Sequence, residues 1–305
     1  MYSYNKLEKL LAAKNLTKSD LVTMLGISSR TIAKMAKGEK IASHVMNRIA
    51  TFLGCKIEDL IQYKSDNVLL QTLRDEKDAK ISGGVYHELQ ILMTYNSNHI
   101  EGSKLSEKQT RLIFETSTIN IDKDEYIPVD DIIETYNHFR AIDYCIDHAE
   151  DILTEDIIKK LHLILKQNTK DSYLEWFAVG DYKKLPNVVG GRETTHPKNV
   201  ASEMQKLLTE YNSLQEIAIN DIISFHADFE YIHPFQDGNG RVGRLIAFKE
   251  CLRFNIVPFI IEDVKKSYYY RGFSNWKKDR NYLIDTCLDG QDTFNDLLVK
   301  FGLSN

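Results

Sequence analysis

The 305-residue chain contains no run of about 18 apolar residues, so a transmembrane helix is not expected. Its first residues, through Lys6, lead into a charged amphipathic segment and lack the apolar core of a signal peptide. Cysteine is scarce. Cys55, Cys145, Cys251 and Cys287 lie far apart with no Cys-x-x-Cys pair, which argues against a disulfide framework or a cysteine zinc site and fits reduced thiols in a cytoplasmic protein. His138, His148 and His162 fall on or beside apolar stripes without a shared spacing, so a histidine metal cluster is not expected either. Excess charge is small, at −5 overall.

That small figure hides an asymmetry. Residues 1–64 hold eleven lysines and arginines against five acids, a net of +6, leaving −11 for the remaining 241 residues. A basic segment in front of an acidic one, in a chain long enough for about two domains, suggests two partners. Leu7, Leu10 and Leu11 mark a first helix. Thr17 or Ser19 can cap a second, with Leu21, Val22 and Leu25 inward; Gly26 turns the chain, and Ser29 to about Lys37 forms a third. Ile41, Val45, Ile49, Phe52 and Leu53 supply a fourth, which Gly54 ends. The turn Gly26-Ile27-Ser28-Ser29 before a short polar helix resembles a helix-turn-helix of the Cro/repressor type. That likeness implies DNA as a partner, with Ser28, Ser29, Arg30, Thr31 and Lys34 offering hydroxyls and cations to phosphates and base edges. Such modules usually bind as dimers. A homo-oligomer therefore stays open, although no separate dimerisation helix is visible.

Residues 65–85 are polar and read as a linker into the first helix of a second domain, 86–305. Apolar stripes through residues 105–168 and again near Met204 to Tyr211 are helical. The chain as a whole reads as all-α, with one short β-hairpin expected where Val188-Val189-Gly190-Gly191 changes the pattern.

The densest chemistry lies in His233-Pro234-Phe235-Gln236-Asp237-Gly238-Asn239-Gly240-Arg241-Val242-Gly243-Arg244. Apolar helical sequence flanks it: Ile222, Ile223, Phe225 and Phe229 before, Leu245, Phe248 and Leu252 after. The order is helix, tight loop, helix, with polar groups crowded at the second helix's start. Unpaired backbone N–H groups and the positive end of the helix dipole favour an anion there. Arg241 and Arg244, three apart, share one helical face.

This stretch resembles the Fic family signature, His-x-Phe-x-(Asp/Glu)-Gly-Asn-Gly-Arg-x-x-Arg, at every defined position. The resemblance implies a Fic-type helical domain that moves AMP from ATP onto a protein hydroxyl. It makes His233 the general base, Asp237 the Mg²⁺ ligand, Gly238, Asn239 and Gly240 the phosphate cradle, and Arg241 and Arg244 the groups that neutralise the leaving pyrophosphate. Phe235 would point inward as an anchor, and His226 would be structural. Upstream, Ser97-Asn98-His99-Ile100-Glu101-Gly102 resembles the family's inhibitory pattern, (Ser/Thr)-x-x-x-Glu-(Gly/Asn). Ser97 and Glu101 lie one helical turn apart, and Gly102 can end that helix. The likeness implies that Glu101 pairs with Arg244 and denies it to the γ-phosphate.

The segment Gly180 to Gly191 resembles the family's flap, which would add main-chain hydrogen bonds to a target segment through Val188, Val189 and Gly190. Lys183 stands where the family often has arginine, so a bidentate role is not expected there. Tyr269 and Asn275 fall where the family contacts adenine. Other readings keep the same site. Glu101 could orient water to remove AMP from a modified protein. UTP, CDP-choline or phosphoryl transfer from ATP could replace AMP transfer, though the intact loop suits a triphosphate held for AMP transfer. The catalytic domain could also serve as a nucleotide sensor for a transcriptional regulator.

Overall fold

The computed structural model describes residues 2–63, 67–124 and 126–303. The chain divides into two compact units, Met1–Val68 and Leu69–Asn305. The expected boundary at residues 64 and 65 lies outside the described residues.

The first unit runs β1 (Tyr2–Ser3), α1 (Asn5–Ala13), α2 (Lys18–Leu25), α3 (Ser29–Ala36), α4 (Ser43–Leu53) and β2 (Gln62–Tyr63). The two short strands pair antiparallel, Tyr2 opposite Tyr63. At the start of α2 the Asp20 carboxylate accepts the backbone N–H of Thr17 at 2.7 Å. That helix ends on Gly26, whose φ of 60° suits a residue without a Cβ. Ser28 then caps α3, its hydroxyl oxygen accepting the Thr31 N–H at 3.1 Å. Leu7, Leu21, Ile27, Met35, Ile49 and Leu60 close the core.

The second unit is a helical bundle: α5 (Val68–Ala79), α6 (Val85–Ile100), α7 (Glu107–Thr116), α8 (Val129–Asp147), α9 (Glu155–Lys166), the hairpin β3 (Val188–Val189) and β4 (Arg192–Glu193), then α10 (Pro197–Asn212), α11 (Ile219–Ile232), α12 (Asn239–Arg253), α13 (Lys266–Asn275) and α14 (Asn281–Lys300). The stretch 65–85, read from its composition as a linker, holds α5. Leu70 and Leu73 share one face and are buried in the main core, while the charged run from Arg74 to Asp78 covers the other sides.

Helix α12 is the axis of the unit, with α6, α8, α9 and α11 packed around it. A helix surrounded in this way is apolar on every face. Val242, Leu245, Ile246, Phe248 and Leu252 are buried. Its buried polar residues are Asn239, Arg241 and Arg244 in the first turns and, further along, Lys249 and Glu250, which pair with each other at 2.6 Å while Tyr211 donates to Glu250 at 3.0 Å. Among the described residues the two strand pairs are the only β-structure, so the molecule is all-α with a short hairpin. No helix among those residues is long and apolar enough to cross a membrane.

Candidate active site

The site forms where α11 ends and α12 begins. His233 closes α11 in the left-handed region, at φ 52°, with its N–H on the Phe229 carbonyl at 2.8 Å. A residue with a side chain takes that conformation uncommonly. Here it turns the chain out of the helix and leaves the imidazole at the mouth of the loop, 15 % exposed, with Nδ1 3.6 Å from Glu230 Oε2. That separation is too long for a hydrogen bond.

The loop is pinned from below. Phe235 is fully buried and stacks on His162 with ring centroids 4.0 Å apart. His162 Nδ1 accepts the Gly180 N–H at 2.9 Å, so Nε2 carries the proton and donates to the Asp237 carbonyl at 3.2 Å. Burial, helped by Lys166, pushes His162 down to about 3 and keeps it neutral. One imidazole thus ties the loop to the root of the flap.

Asn239 is also spent on the loop. Its Oδ1 accepts the Phe235 N–H at 2.8 Å and its Nδ2 donates to the Phe235 carbonyl at 2.9 Å. At 2 % exposure with both ends engaged, the Asn239 side-chain amide is taken up by the loop's own backbone. Gly238 caps α12 at φ 80°. Gly240 is the tight point, because a Cβ there would run into Glu101 Oε1 and lie 3.2 Å from Arg244 Nη1.

Two carboxylates hold the two arginines. Arg244 is 5 % exposed; its Nε donates to Ser97 Oγ at 3.0 Å, and its Nη2 to the Ser97 carbonyl at 2.9 Å and to Glu101 Oε1 at 2.7 Å. Glu101 lies just past the end of α6, followed by Gly102 at φ 100°. Tyr270 donates to the Ile100 carbonyl at 3.2 Å and steadies that end. Arg241 is engaged by Glu134 of α8. Glu134 also accepts from Lys166, which in turn donates to Asp237 Oδ2 at 2.7 Å. Burial would raise the Asp237 carboxyl, but Arg241 and Lys166 outweigh it and hold the group well below the usual carboxylate range. Glu134, Lys166, His162 and Glu230 carried no sequence signal. Glu134 sits on α8, His162 and Lys166 on α9 and Glu230 on α11, in otherwise ordinary amphipathic patterns, and packing brings the first three to the loop.

The hairpin stands beside the loop, with Val188 and Val189 exposed and Gly190 at its tip at φ 57°. The Lys183 N–H donates to the Pro234 carbonyl at 2.9 Å, and its ammonium donates to Asn187 and Thr194 at the two ends of the hairpin. Tyr269 needs a correction. It is 1 % exposed, hydrogen-bonded to His226 and packed with Trp276 and Leu283, so no ring face is open for a base. Asn275 donates to the Arg271 carbonyl of its own helix at 2.9 Å. In the first unit, Ser29 and Arg30 are exposed and Thr31 and Lys34 half-buried on α3, while the Ser28 hydroxyl serves as the helix cap.

Residues 152–250 match the Fic/DOC family and residues 6–66 the Cro/C1-type HTH DNA-binding domain. The chain is 27% identical over 180 residues to the protein adenylyltransferase Fic of Drosophila grimshawi, covering 58% of this chain and 36% of the fly protein. With the Aedes aegypti protein of the same name it shares 24% over 245 residues, covering 79% of this chain and 46% of the mosquito protein. It thus spans less than half the length of these curated relatives. A Fic domain containing signaling protein from Bacteroides thetaiotaomicron shares the fold, with a TM-score of 0.60 at 24% identity over 76% of this chain and 91% of that one. Fic-1 from C. elegans gives 0.58 at 17% identity over 86% and 78% of the two chains. The chain thus holds a segment, residues 152–250, that matches the Fic/DOC family, and ahead of it a segment, residues 6–66, that matches the Cro/C1-type helix-turn-helix domain.

Proposed function

We propose that the chain transfers AMP from Mg-ATP to a hydroxyl of a target protein and that Glu101 restrains it. The name of these relatives, protein adenylyltransferase Fic, supports the reaction class. The observation that carries the restraint is the seat of Glu101: it bonds Arg244 and covers Gly240 at the same time. In the reaction, the target hydroxyl gives its proton to His233 and its oxygen attacks the α-phosphorus. The bond from that phosphorus to the β-phosphate oxygen breaks, and pyrophosphate leaves. Glu230 lies beside the ring, 3.6 Å from Nδ1. Arg241 and Arg244 offset the charge on the leaving group. The exposed hairpin edge at Val188 and Val189 adds a strand of target backbone and brings its hydroxyl to His233.

Asp237 fits a magnesium ion. Its side chain is half-exposed and held ionised, and magnesium takes one or two carboxylates together with phosphate oxygens. When bound, the ion would offset charge on the phosphates. Arg244 cannot serve both Glu101 and a γ-phosphate through the same N–H. A charge-assisted hydrogen bond is worth about 1.5–3 kcal/mol, so losing it shifts the balance by roughly 10- to 150-fold.

Glu101→Gly is therefore expected to raise protein labelling from α-labelled ATP by about tenfold or more, with none from γ-labelled ATP. No gain, or transfer of the γ label, would sink the reading. Removal of AMP, with Glu101 orienting water, is the second reading, since the carboxylate is aimed into the site; it predicts that Glu101→Gly loses hydrolysis of an AMP-modified protein. Residues 1–64 are the DNA-contacting part of the proposal, supported by the module's match and its +6 charge. Removing Arg30 and Lys34 together is expected to make binding less salt-dependent, lowering the slope against log salt by about two. An unchanged slope would take both residues off the phosphates.

A further inference from the structure

Lys166 closes α9 and is 3 % exposed. Its ammonium group reaches two carboxylates, Asp237 Oδ2 at 2.7 Å and Glu134 Oε1. The other Glu134 oxygen, Oε2, accepts from Arg241, and Arg241 Nη2 lies 3.5 Å from Asp237 Oδ2. Two acids and two bases make a closed ring of zero net charge. One oxygen of the carboxylate assigned to magnesium is thus already covered by two protein cations.

We infer that Lys166 is a resident counter-cation at the metal position, a positioning residue that gives up Asp237 to an incoming divalent cation by withdrawing onto Glu134. The inference rests on the reading of Asp237 as the metal ligand. Charge balance supports it. A carboxylate set against buried groups needs a compensating charge when no metal is present, and Lys166 and Arg241 supply it. Lys166, Arg241 and a divalent ion cannot all crowd onto Oδ2. Lys166 is the group able to leave, because Glu134 already accepts from it and the Phe177 ring lies 5.5 Å from its nitrogen. The Asp237 side chain is 53% exposed, so a cation can reach it from solvent.

Glu134 therefore differs from Glu101, although each holds one motif arginine. Glu101 stands at a helix end, 29% exposed, on the solvent side of its arginine. Glu134 lies within the first half of α8, 14% exposed, and bridges two cations. It is a fixed acceptor, where Glu101 is a latch. As long as Lys166 holds Asp237 the site resists bare metal, and an ion arriving with nucleotide phosphates has the added attraction of Arg241 to overcome that resistance.

The test is Mn²⁺ binding to the full chain with a non-hydrolysable ATP analogue, read from the electron paramagnetic resonance of free Mn²⁺. Lys166→Met is expected to lower the Mn²⁺ Kd by about tenfold, within the range of coupling between contacting groups. Lys166→Arg, which keeps the charge, should stay within about twofold of wild type. Glu134→Gln, which removes the charge that draws Lys166 away, should raise the Kd. Its effect should vanish in the Glu134→Gln/Lys166→Met double variant, whereas a simple long-range charge effect would persist there. Lys166→Gln replaces the methionine variant if thermal melting shows that the latter does not fold. Unchanged or weaker Mn²⁺ binding in the neutral variants, with Asp237→Asn still abolishing it, overturns the counter-cation role alone. Wild-type binding by Asp237→Asn overturns it together with the metal-ligand reading.

Discussion

His233 shows how much one backbone conformation does at this site. At φ 52° it both ends α11 and aims a titratable ring at the loop mouth. Its side chain is not needed to hold the loop, because Asn239, Phe235 and His162 do that. His233→Ala is therefore expected to abolish AMP transfer while leaving Mg-ATP affinity within about threefold of wild type, since the phosphate-binding groups stay in place. Calorimetric titration with ATP beside a labelling assay checks this, and near-normal labelling would remove the base assignment. Gly240 makes a complementary point. Its missing Cβ is what lets Glu101 and Arg244 meet above the first turn of α12.

Among the elements, the hairpin is the one whose root the sequence could not describe. Lys183 is buried with Asn187 and Thr194 as its partners, both neutral, and it lies near Arg192. Burial, and then Arg192, bring its ammonium group down to about 8 from 10.5. Below pH 8 both folded and unfolded chains carry that proton, and no linkage arises. Between about 8 and 10.5 the unfolded chain binds it and the folded chain does not, so stability gains a contribution as pH rises. Lys183→Met lacks that contribution. The difference in urea-unfolding free energy, wild type minus variant, should grow across pH 8 to 10 and be flat from 6.5 to 7.5. A flat difference throughout would put the charge elsewhere. The variant also loses the clamp across the hairpin ends.

For the whole molecule, three buried histidines matter more than the net charge. His162 and His226 are brought down to about 3, chiefly by burial, with Lys166 and Arg244 adding to it respectively, and His138 is lowered for the same reason with Arg241 and Arg244 near it. Each is neutral in the folded chain and takes up a proton on unfolding below about 6.5. Their share of stability is complete above that pH and is lost as pH falls toward 3. Unfolding near pH 5.5 should therefore take up protons, measurable by calorimetry in buffers of different ionisation heat. Absence of uptake, or a wild-type value in His226→Phe, would contradict the assignment. These side chains sit between α6, α8, α9, α11 and α12, so the same packing that builds the site also makes it acid-sensitive.

Much of this was legible along the chain. The helix-loop-helix around residues 233–244, the inward Phe235, the turn at Gly26 and the spacing of Ser97, Glu101 and Gly102 are local patterns, set by hydrophobic period and by residues that cap or turn a helix. Other features depend on which helices become neighbours. Lys166 reaches Asp237 from α9 and Glu134 reaches Arg241 from α8, 71 and 107 positions away in sequence, and His162 reaches both the loop and the flap. Tyr269 reads as an adenine contact by position, yet packing buries it against His226. Asn239 belongs to the motif, yet its amide is consumed by the loop's own backbone. The sequence by itself determined the helical class, the catalytic loop and the carboxylate that faces Arg244. Only the tertiary structure decided which charges meet there, because side chains from separate helices share one low-dielectric interior in which every buried charge must find a partner.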